Sequence, residues 1–285
     1  MLGVSRSGYY EWKRARVAPR SSRQAALTDT IINAFQELKR RYGSPRITRM
    51  LRDQGEKISR KTVAKIMRRH KLRAKAARKY KATTNSAHAL PVAENLLKQD
   101  FSASRPNEKW VSDITYIWTE EGWIYLAVIL DLFTRKIVGW HAAARMDVGL
   151  VLDALTMAIK NSGKIDGVIL HSDRGSQYCA KAYQEKLRQH DIICSMSNKG
   201  DCYDNAAMES WNHSFKVEAI LGEKFATRAQ AMEDIFDYIE VFYNRQRLHS
   251  SLGYVTPQRC EDLFNVNLSR VAEPSRSDLP LTGLH

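Results

Sequence analysis

The chain has 285 residues, a hydrophobic content of 44% and a formal charge of +14, which suits one sizeable domain joined to a smaller module. It has no run of about 18 consecutive apolar residues, and its first residues lack the apolar centre of a signal peptide. The sequence therefore argues against membrane insertion and secretion, and we expect a cytoplasmic protein. The spacings of the four cysteines match neither a zinc finger nor a disulfide framework, so we expect reduced thiols.

The positive charge is concentrated in the first part of the chain. Residues 1–100 contain 25 Lys and Arg against 7 Asp and Glu, whereas residues 101–285 contain 20 against 24. Clustered positive charge attracts phosphate and releases bound counterions, so we expect the basic part to contact nucleic acid. The alternative is a solvated basic surface with no partner.

Three helices are predicted in the basic part of the chain. Residues 23–40 have apolar side chains at helical spacing, and a short second helix after Tyr42-Gly43-Ser44-Pro45 places Ile47, Met50 and Leu51 inward. Ser59 is a suitable N-cap for a third helix, in which Val63, Ile66 and Met67 can pack. Five basic residues of the third helix remain free to face outward: Arg60, Lys61, Lys65, Arg68 and Arg69.

The second and third helices, separated by a turn that contains Gly55, form a helix-turn-helix pattern. Many unrelated three-helix modules share this pattern, so the alternative is again a solvated basic helix. The charge and the pattern together favour contact with DNA through the five basic residues of the third helix. The residues that follow, 76–100, are predicted to be a basic linker.

The character of the sequence changes to predicted strands at Trp110. Three consecutive strands are expected within residues 111–118, 123–131 and 136–144, followed by a helix over 147–161. A short buried strand, a second helix and a fifth strand are then expected within 167–173, 180–190 and 192–197. This order predicts an α/β fold with a mixed sheet flanked by helices.

Three acidic residues fall at places where distant parts of such a fold can meet. Asp113 lies in the first strand, Asp173 at the end of the short strand, and Glu209 in a predicted helix over 205–220. Phosphodiester chemistry without a covalent protein nucleophile usually needs two divalent cations, and Mg²⁺ requires hard oxygen ligands. A single Asp at a strand end is more often a turn former, so the hypothesis depends on all three residues together.

The helix that carries Glu209 also carries a lysine on the same predicted face. Lys216 follows Glu209 by seven residues, which in a regular α-helix places it roughly 10 Å along the axis. That distance would let Lys216 hold a DNA phosphate beside the metal site. The alternative is a surface lysine with no partner.

Five motifs resemble those of the second-frame transposase of the insertion-sequence-three family, whose catalytic core is similar to that of retroviral integrases. They are WVSDITYI, DLFTRKIVGW, HSDRGSQY, KGDCYDNAAMES and YNRQRLHSSLGYVTPQ, and thirty-five residues separate Asp173 from Glu209, a spacing typical of this family. LGVSRSGYYEW and the helical module are also similar to that family. The resemblance therefore covers nearly the whole chain, roughly residues 2–260.

The resemblance implies a ribonuclease H-like fold and a DNA strand cleavage and strand transfer reaction at insertion-sequence ends. It assigns metal coordination by Mg²⁺ or Mn²⁺, with two ions per site, to Asp113, Asp173 and Glu209, and DNA contact to Lys216. It also implies double-stranded DNA as substrate, a first-frame transposase protein as fusion or partner, a homo-oligomer in the synaptic complex, and association with the bacterial nucleoid. Supporting roles are expected for further motif residues: Asp131, Gln177, Tyr178, Asp204 and Asn205.

Two other functions remain open at this stage. One is a DNA-binding regulator of transposition with a catalytically silent integrase-like domain, and the other is a structure-specific nuclease without strand transfer. For the C-terminal motif, stacking or phosphate contact is weighed against structural packing at Tyr243, Arg247, His249 and Tyr254. The expected organisation is an N-terminal segment, a helix-turn-helix-like module, a basic linker, an integrase-like domain and a tail, over 1–22, 23–75, 76–100, 101–262 and 263–285.

Overall fold

The computed structural model of the protein describes residues 5–15, 20–75, 91–198 and 202–272. Contacts between backbones divide the chain into two compact units, residues 1–77 and 78–285. Residues 76–90 of the expected linker and 273–285 of the expected tail lie outside the described residues. No helix in the described part of the chain is long and apolar enough to cross a membrane.

The first unit is helical. Its helices are α1 (Arg6–Ala15), α2 (Arg20–Glu37), α3 (Ser44–Asp53) and α4 (Arg60–Arg69). The predicted N-cap is confirmed, because the Ser59 side chain accepts a hydrogen bond from the Thr62 amide at 3.1 Å.

A small apolar core joins α2, α3 and α4. The side chains predicted to pack from α4, Val63, Ile66 and Met67, are all buried. In α3 the prediction was partly wrong, because the buried residues are Ile47, Thr48 and Leu51, whereas Met50 is only half-buried. The Thr48 hydroxyl can lie in this core because it donates to the carbonyl of Ser44 at 2.6 Å.

The second unit is built around a five-stranded mixed sheet. The strands are β1 (Lys109–Thr119), β2 (Gly122–Asp131), β3 (Ile137–Ala143), β4 (Ile169–Ser172) and β5 (Ile193–Met196). Their order across the sheet is β3-β2-β1-β4-β5, with β1–β2 and β2–β3 antiparallel and β1–β4 and β4–β5 parallel. The predicted mixed sheet and all five strands are therefore confirmed.

Helices flank the sheet. They are α5 (Val148–Asn161), α6 (Ser176–Cys179), α7 (Lys181–Gln189), α8 (Ala206–Phe215), α9 (Arg228–Phe236) and α10 (Pro257–Ala272). Helix α5 packs so closely on β3 that a Cβ at Gly139 would lie 2.3 Å from the Ala154 carbonyl oxygen, so only glycine fits there. Helix α10 continues through the expected boundary at residue 262 to Ala272.

Two helices continue as π-helical segments. Residues Lys216–Ile220 follow α8, and Asp237–Tyr243 follow α9. The prediction of one regular α-helix over 205–220 is therefore wrong, because the α-helical pairing ends at Phe215. Within the first of these segments the Glu218 side chain is turned inward to the buried Arg247.

Part of the expected linker belongs to the second unit. Leu97 is buried, and the Leu96 amide donates to the Ser195 hydroxyl on β5 at 2.9 Å. Asn95 is also buried and donates to the Asp204 carboxylate at 2.9 Å. Residues 91–100 thus pack against β5 and the loop before α8.

Candidate active site

The register of the sheet brings Asp113 and Asp173 together. On the parallel pair β1–β4, Val111 lies opposite His171, and each aspartate lies two residues further along its own chain. Neighbouring strands are about 4.8 Å apart, and residues two apart face the same side of a sheet. Both carboxylates therefore lie on one side of the sheet, near the C-terminal end of β4.

Helix α8 brings the third acidic residue to this end of β4. Its buried side chains Met208, Trp211 and Phe215 hold it against the sheet, while Glu209 in its first turn is exposed. Asn212, one turn after Glu209, donates from Nδ2 to Oδ2 of Asp113 at 2.7 Å. This hydrogen bond ties the Glu209 helix directly to the first aspartate.

The electrostatics of Asp113 show that the three acids share one environment. Its pKa is raised to about 7, chiefly by burial, then by the negative charge of Asp173 and, more weakly, by that of Glu209. Hydrogen bonds from the Ile114 amide and from Asn212 only partly oppose this shift. A half-buried carboxylate that neighbouring acids repel is suited to binding a cation.

The donor set fits a hard divalent cation in chemistry, although its side chains have not converged on one point. Within the described ranges, no three His, Cys, Asp or Glu side chains lie close enough together to hold an ion as they stand. The coupling to Asp113 is stronger for Asp173 than for Glu209. Glu209, with its exposed side chain, is therefore the least closely coupled of the three acids.

Lys216 lies at the end of α8 but does not face open solvent. Its Nζ donates to the carbonyl oxygen of Tyr116 on β1 and lies 5.0 Å from the centre of the Tyr116 ring. Burial lowers its pKa to about 8. The structure thus places Lys216 beside β1, three residues beyond Asp113, in a position set by the π-helical segment rather than by a regular α-helix.

The motif residues expected to play supporting roles make hydrogen bonds that fix the surrounding backbone. Asp131 accepts from the Thr134 amide and hydroxyl and from the Asn107 amide. Asn205 donates to the Ser112 carbonyl at 3.3 Å, and the Tyr178 hydroxyl lies 3.0 Å from the Ser112 hydroxyl. Both bonds reach the residue next to Asp113, so they hold β1 in register.

The remaining two of these motif residues, Asp204 and Gln177, make hydrogen bonds to loop residues. Asp204 accepts hydrogen bonds from Asn95, Gln99 and the Asn198 amide. Gln177 donates to the Met146 carbonyl at 3.0 Å. In the C-terminal motif, Arg247 and Tyr243 are buried, which favours packing over contact with a phosphate.

Asn212 is a partner of Asp113 that was not among the predicted site residues. The signal that could have revealed it is its position one helical turn after Glu209, which places both side chains on one face of α8. The five basic residues of α4, by contrast, lie as expected: Arg60, Lys61, Lys65, Arg68 and Arg69 are all exposed. Cys179, Cys194 and Cys260 are free thiols.

Comparison with known families defines the class of the protein. Models described as an integrase core domain match residues 103–202 and 190–257, and a model described as an HTH-like domain matches residues 22–80. Together with the mixed sheet and its flanking helices, they define an integrase-core protein with a ribonuclease H-like fold and a helix-turn-helix-like unit.

Similar whole proteins narrow this class to one family. The chain is 48% identical over 264 residues to transposase InsF for insertion sequence IS3A of Escherichia coli (strain K12), covering 92% of each chain. It is 44% identical over 265 residues to the insertion element IS600 uncharacterized 31 kDa protein of Shigella sonnei, covering 93% of this chain and 97% of that protein. The chain therefore belongs to the IS3 family of transposases.

Solved structures give a weaker likeness. A simian T-cell lymphotropic virus intasome in complex with PP2A regulatory subunit B56 gamma is similar with a TM-score of 0.45 and 14% identity, over 89% of this chain and 79% of that chain. The HTLV-2 integrase catalytic core domain in complex with magnesium is similar with a TM-score of 0.40 and 13% identity, over 55% and 97%. The assignment of the fold rests on the sheet and on the family models instead.

Proposed function

We propose that this transposase cuts and joins DNA strands at insertion-sequence ends with Asp113, Asp173 and Glu209 as its catalytic carboxylates. The observation that carries the proposal is geometric: the β1–β4 pairing brings Asp113 and Asp173 together, and Asn212, one turn after Glu209, donates to Asp113. The three acids come from β1, from the end of β4 and from α8. Elements far apart in the sequence thus supply one acidic site.

The three carboxylates would hold divalent cations, Mg²⁺ or Mn²⁺, with two ions per site. Bound there, the cations would activate the attacking oxygen and steady the leaving oxygen of the phosphodiester. The residues of the chain would prepare that site. The Ile114 amide and Asn212 orient the two oxygens of Asp113, and the Gly175 amide orients Asp173 through a hydrogen bond of 2.9 Å to Oδ1.

Basic side chains of both units would hold the DNA substrate. In the first unit, the exposed basic residues of α4 would contact the phosphates of double-stranded DNA. In the second unit, Lys216 would contact a phosphate near the carboxylates. Because phosphate contacts position the duplex without reading its bases, these residues would set register rather than sequence preference.

Further partners follow from the family. We propose that the chain works with a first-frame transposase protein, either fused to it or bound to it, and as a homo-oligomer in the synaptic complex. It would act at the nucleoid in the cytoplasm. Adding purified first-frame protein to the cleavage reaction tests the partnership, because the yield of joined strands should rise only when both proteins are present.

The activity is tested with labelled DNA that carries the ends of the source element, in Mg²⁺, Mn²⁺ or EDTA. Wild-type protein should nick and join this DNA only with a divalent cation, and Glu209→Gln should abolish both products. Glu233→Gln is the matched control, because Glu233 is an exposed glutamate on α9. DNA binding without cleavage, in the presence of the first-frame protein, would instead support a regulator with a silent catalytic domain.

A further inference from the structure

Three large aromatic side chains lie exposed at the end of the β1–β2 hairpin. Tyr116, Trp118 and Trp123 are 37%, 58% and 42% exposed, and together they form what we name the aromatic patch. Trp118 lies directly opposite Trp123 across the two strands. The Trp118 and Trp123 rings are 4.9 Å apart edge to face, and the Tyr116 and Trp123 rings are 5.1 Å apart in the same way.

The aromatic patch lies on the exposed face of the β1–β2 hairpin and is not part of the core. Along β1, Thr115, Ile117 and Thr119 are buried, whereas the alternate residues Tyr116 and Trp118 face outward. Large aromatic rings contribute most when they are buried or in contact with a partner. A contiguous exposed group of them therefore marks a binding surface.

Cationic side chains lie at both ends of the patch. The ammonium of Lys216 lies over the Tyr116 ring, and the guanidinium of Arg228 donates from Nε to the Trp123 carbonyl at 3.1 Å. The turn of the hairpin carries two exposed acids, Glu120 and Glu121. Glu121 is occupied, because its carboxylate accepts from the Arg228 amide at 2.8 Å.

The patch is close to the proposed catalytic carboxylates. Tyr116 and Trp118 follow Asp113 by three and five residues on the same strand, which is about 10 and 17 Å at 3.3 Å per residue, and these odd spacings place their rings on the opposite face of the sheet from Asp113. Strand β4 pairs with β1 only at Lys109, Trp110 and Val111. Beyond Val111 this edge of β1 is therefore not covered by β4, and Lys216, whose helical segment reaches Asp113 through Asn212, also contacts Tyr116. A DNA strand that passes over Asp113 can turn around the edge of β1 at Lys216 to reach the aromatic rings.

We propose that the aromatic patch binds an unpaired nucleobase of the DNA strand that is cut, with the base stacked on Trp118. Tyr116 and Trp123 brace the Trp118 ring through their edge contacts, and Lys216 binds the adjoining phosphate. This inference rests on the proposed function and adds to it a positioning surface beside the carboxylates. The unpaired base would anchor the strand while its phosphodiester lies at Asp113.

The chemistry of the patch favours a nucleic acid over a protein partner. Exposed ring faces flanked by cations match a polymer of flat bases and phosphates. An apolar protein surface would gain nothing from Lys216 and Arg228. Because every base has a stacking face, the contact should tolerate any base at that position.

The test is a binding comparison in EDTA, where no cleavage can occur, with full-length protein and two labelled duplexes. One duplex is blunt, and the other has a three-nucleotide single-stranded extension that contains the fluorescent base 2-aminopurine. Trp118→Ala and Trp118→Leu should each weaken binding of the extended duplex about tenfold and leave blunt-duplex binding unchanged. Trp118→Phe should restore binding, and the quenching of 2-aminopurine by stacking should follow the same order.

The matched control is Phe236→Ala, which removes an equally exposed ring, 54% exposed, from α9. This variant should bind both duplexes with the affinity of the wild type. The proposal is overturned if the Trp118 variants bind both duplexes as wild type does, if they weaken both equally, or if they change only the sedimentation of the protein, which would indicate a protein partner. Loss of cleavage in Asp113→Asn with unchanged extension binding separates this result from the proposed function.

Discussion

Two carboxylates at the helical segment that begins at Ala206 have contrasting surroundings: Glu218 belongs to the segment, and Asp113 on β1 accepts a hydrogen bond from its Asn212. Glu218 is buried and accepts two hydrogen bonds from Arg247, at 2.8 and 2.9 Å, and one from Tyr238 at 2.9 Å. Among the described residues, Asp113 accepts hydrogen bonds only from neutral groups, the Ile114 amide and Asn212. The charges nearest to Asp113 are those of other acids.

The contrast separates a structural carboxylate from one that is suited to binding a ligand. Burial alone lowers the pKa of Arg247, but Glu218 more than offsets this and holds it above its ordinary value, so the pair is closed within the protein. The raised pKa of Asp113 shows that its charge is not balanced by its neighbours. Four measurements test this distinction, and they are given in order of decreasing effect.

The largest effect is expected from Asp113→Asn. Removing the charge at the centre of the acidic site should lower strand cleavage by about 10⁴-fold, because cation binding stabilises the transition state by several kcal/mol. The free energy of unfolding without metal should not fall, since the change removes a repelled charge. Cleavage is measured on labelled DNA, and stability by urea unfolding. Retention of cleavage would remove Asp113 from the catalytic set.

The next effect is on stability and concerns the closed pair. Arg247→Met leaves the Glu218 charge buried without its partner and should cost about 3–5 kcal/mol in the free energy of unfolding. Replacing both partners, with Arg247→Met and Glu218→Gln, should recover most of that loss. Urea unfolding followed by circular dichroism measures both variants. Equal losses in the single and double variants would show that packing, not charge, holds this region.

A smaller effect is expected from divalent cations. At pH 8, Asp113 is ionised because its raised pKa of about 7 lies below that pH. Mg²⁺ at about ten times its dissociation constant should therefore raise the melting temperature by roughly 2–4 °C. At pH 5.5, where Asp113 is protonated, the shift should shrink, and in Asp113→Asn it should be largely lost. The same shift in wild type and in this variant would mean that the ion binds elsewhere.

Much of this arrangement was predictable from the sequence because it depends on local patterns. The alternation in β1 and the apolar run of β2 are short-range signals of strands, and the Ser59 cap depends only on residues three apart. The acids were identified by motifs and by the spacing between Asp173 and Glu209. Asp113 and Asp173 are brought together by the pairing of Val111 with His171, a long-range contact that no local pattern encodes.

The parts that sequence reasoning missed depend on tertiary contacts. Within the π-helical segment Lys216–Ile220, Glu218 bonds to the buried Arg247, which lies 29 residues further along the chain. Residues 91–100 read as linker because their composition is polar, yet Asn95 is buried through its bond to Asp204. In both cases a polar side chain is turned inward by a partner distant in sequence, which overrides its local preference.

The smallest effect concerns Lys216, which lies along the helical segment between Asn212, the partner of Asp113, and Glu218. Burial lowers its pKa from 10.5 to about 8, so its charge is present below pH 8 and is lost as the pH rises through that value. Affinity for blunt duplex DNA in EDTA should fall roughly threefold between pH 7 and 9, the scale of one exposed charge contact. Lys216→Arg should remove this dependence, since arginine stays charged, whereas Lys65→Arg on α4 should keep it. If Lys216→Arg follows the wild-type profile, Lys216 does not meet DNA, and its role is to hold β1 against the helix through Tyr116.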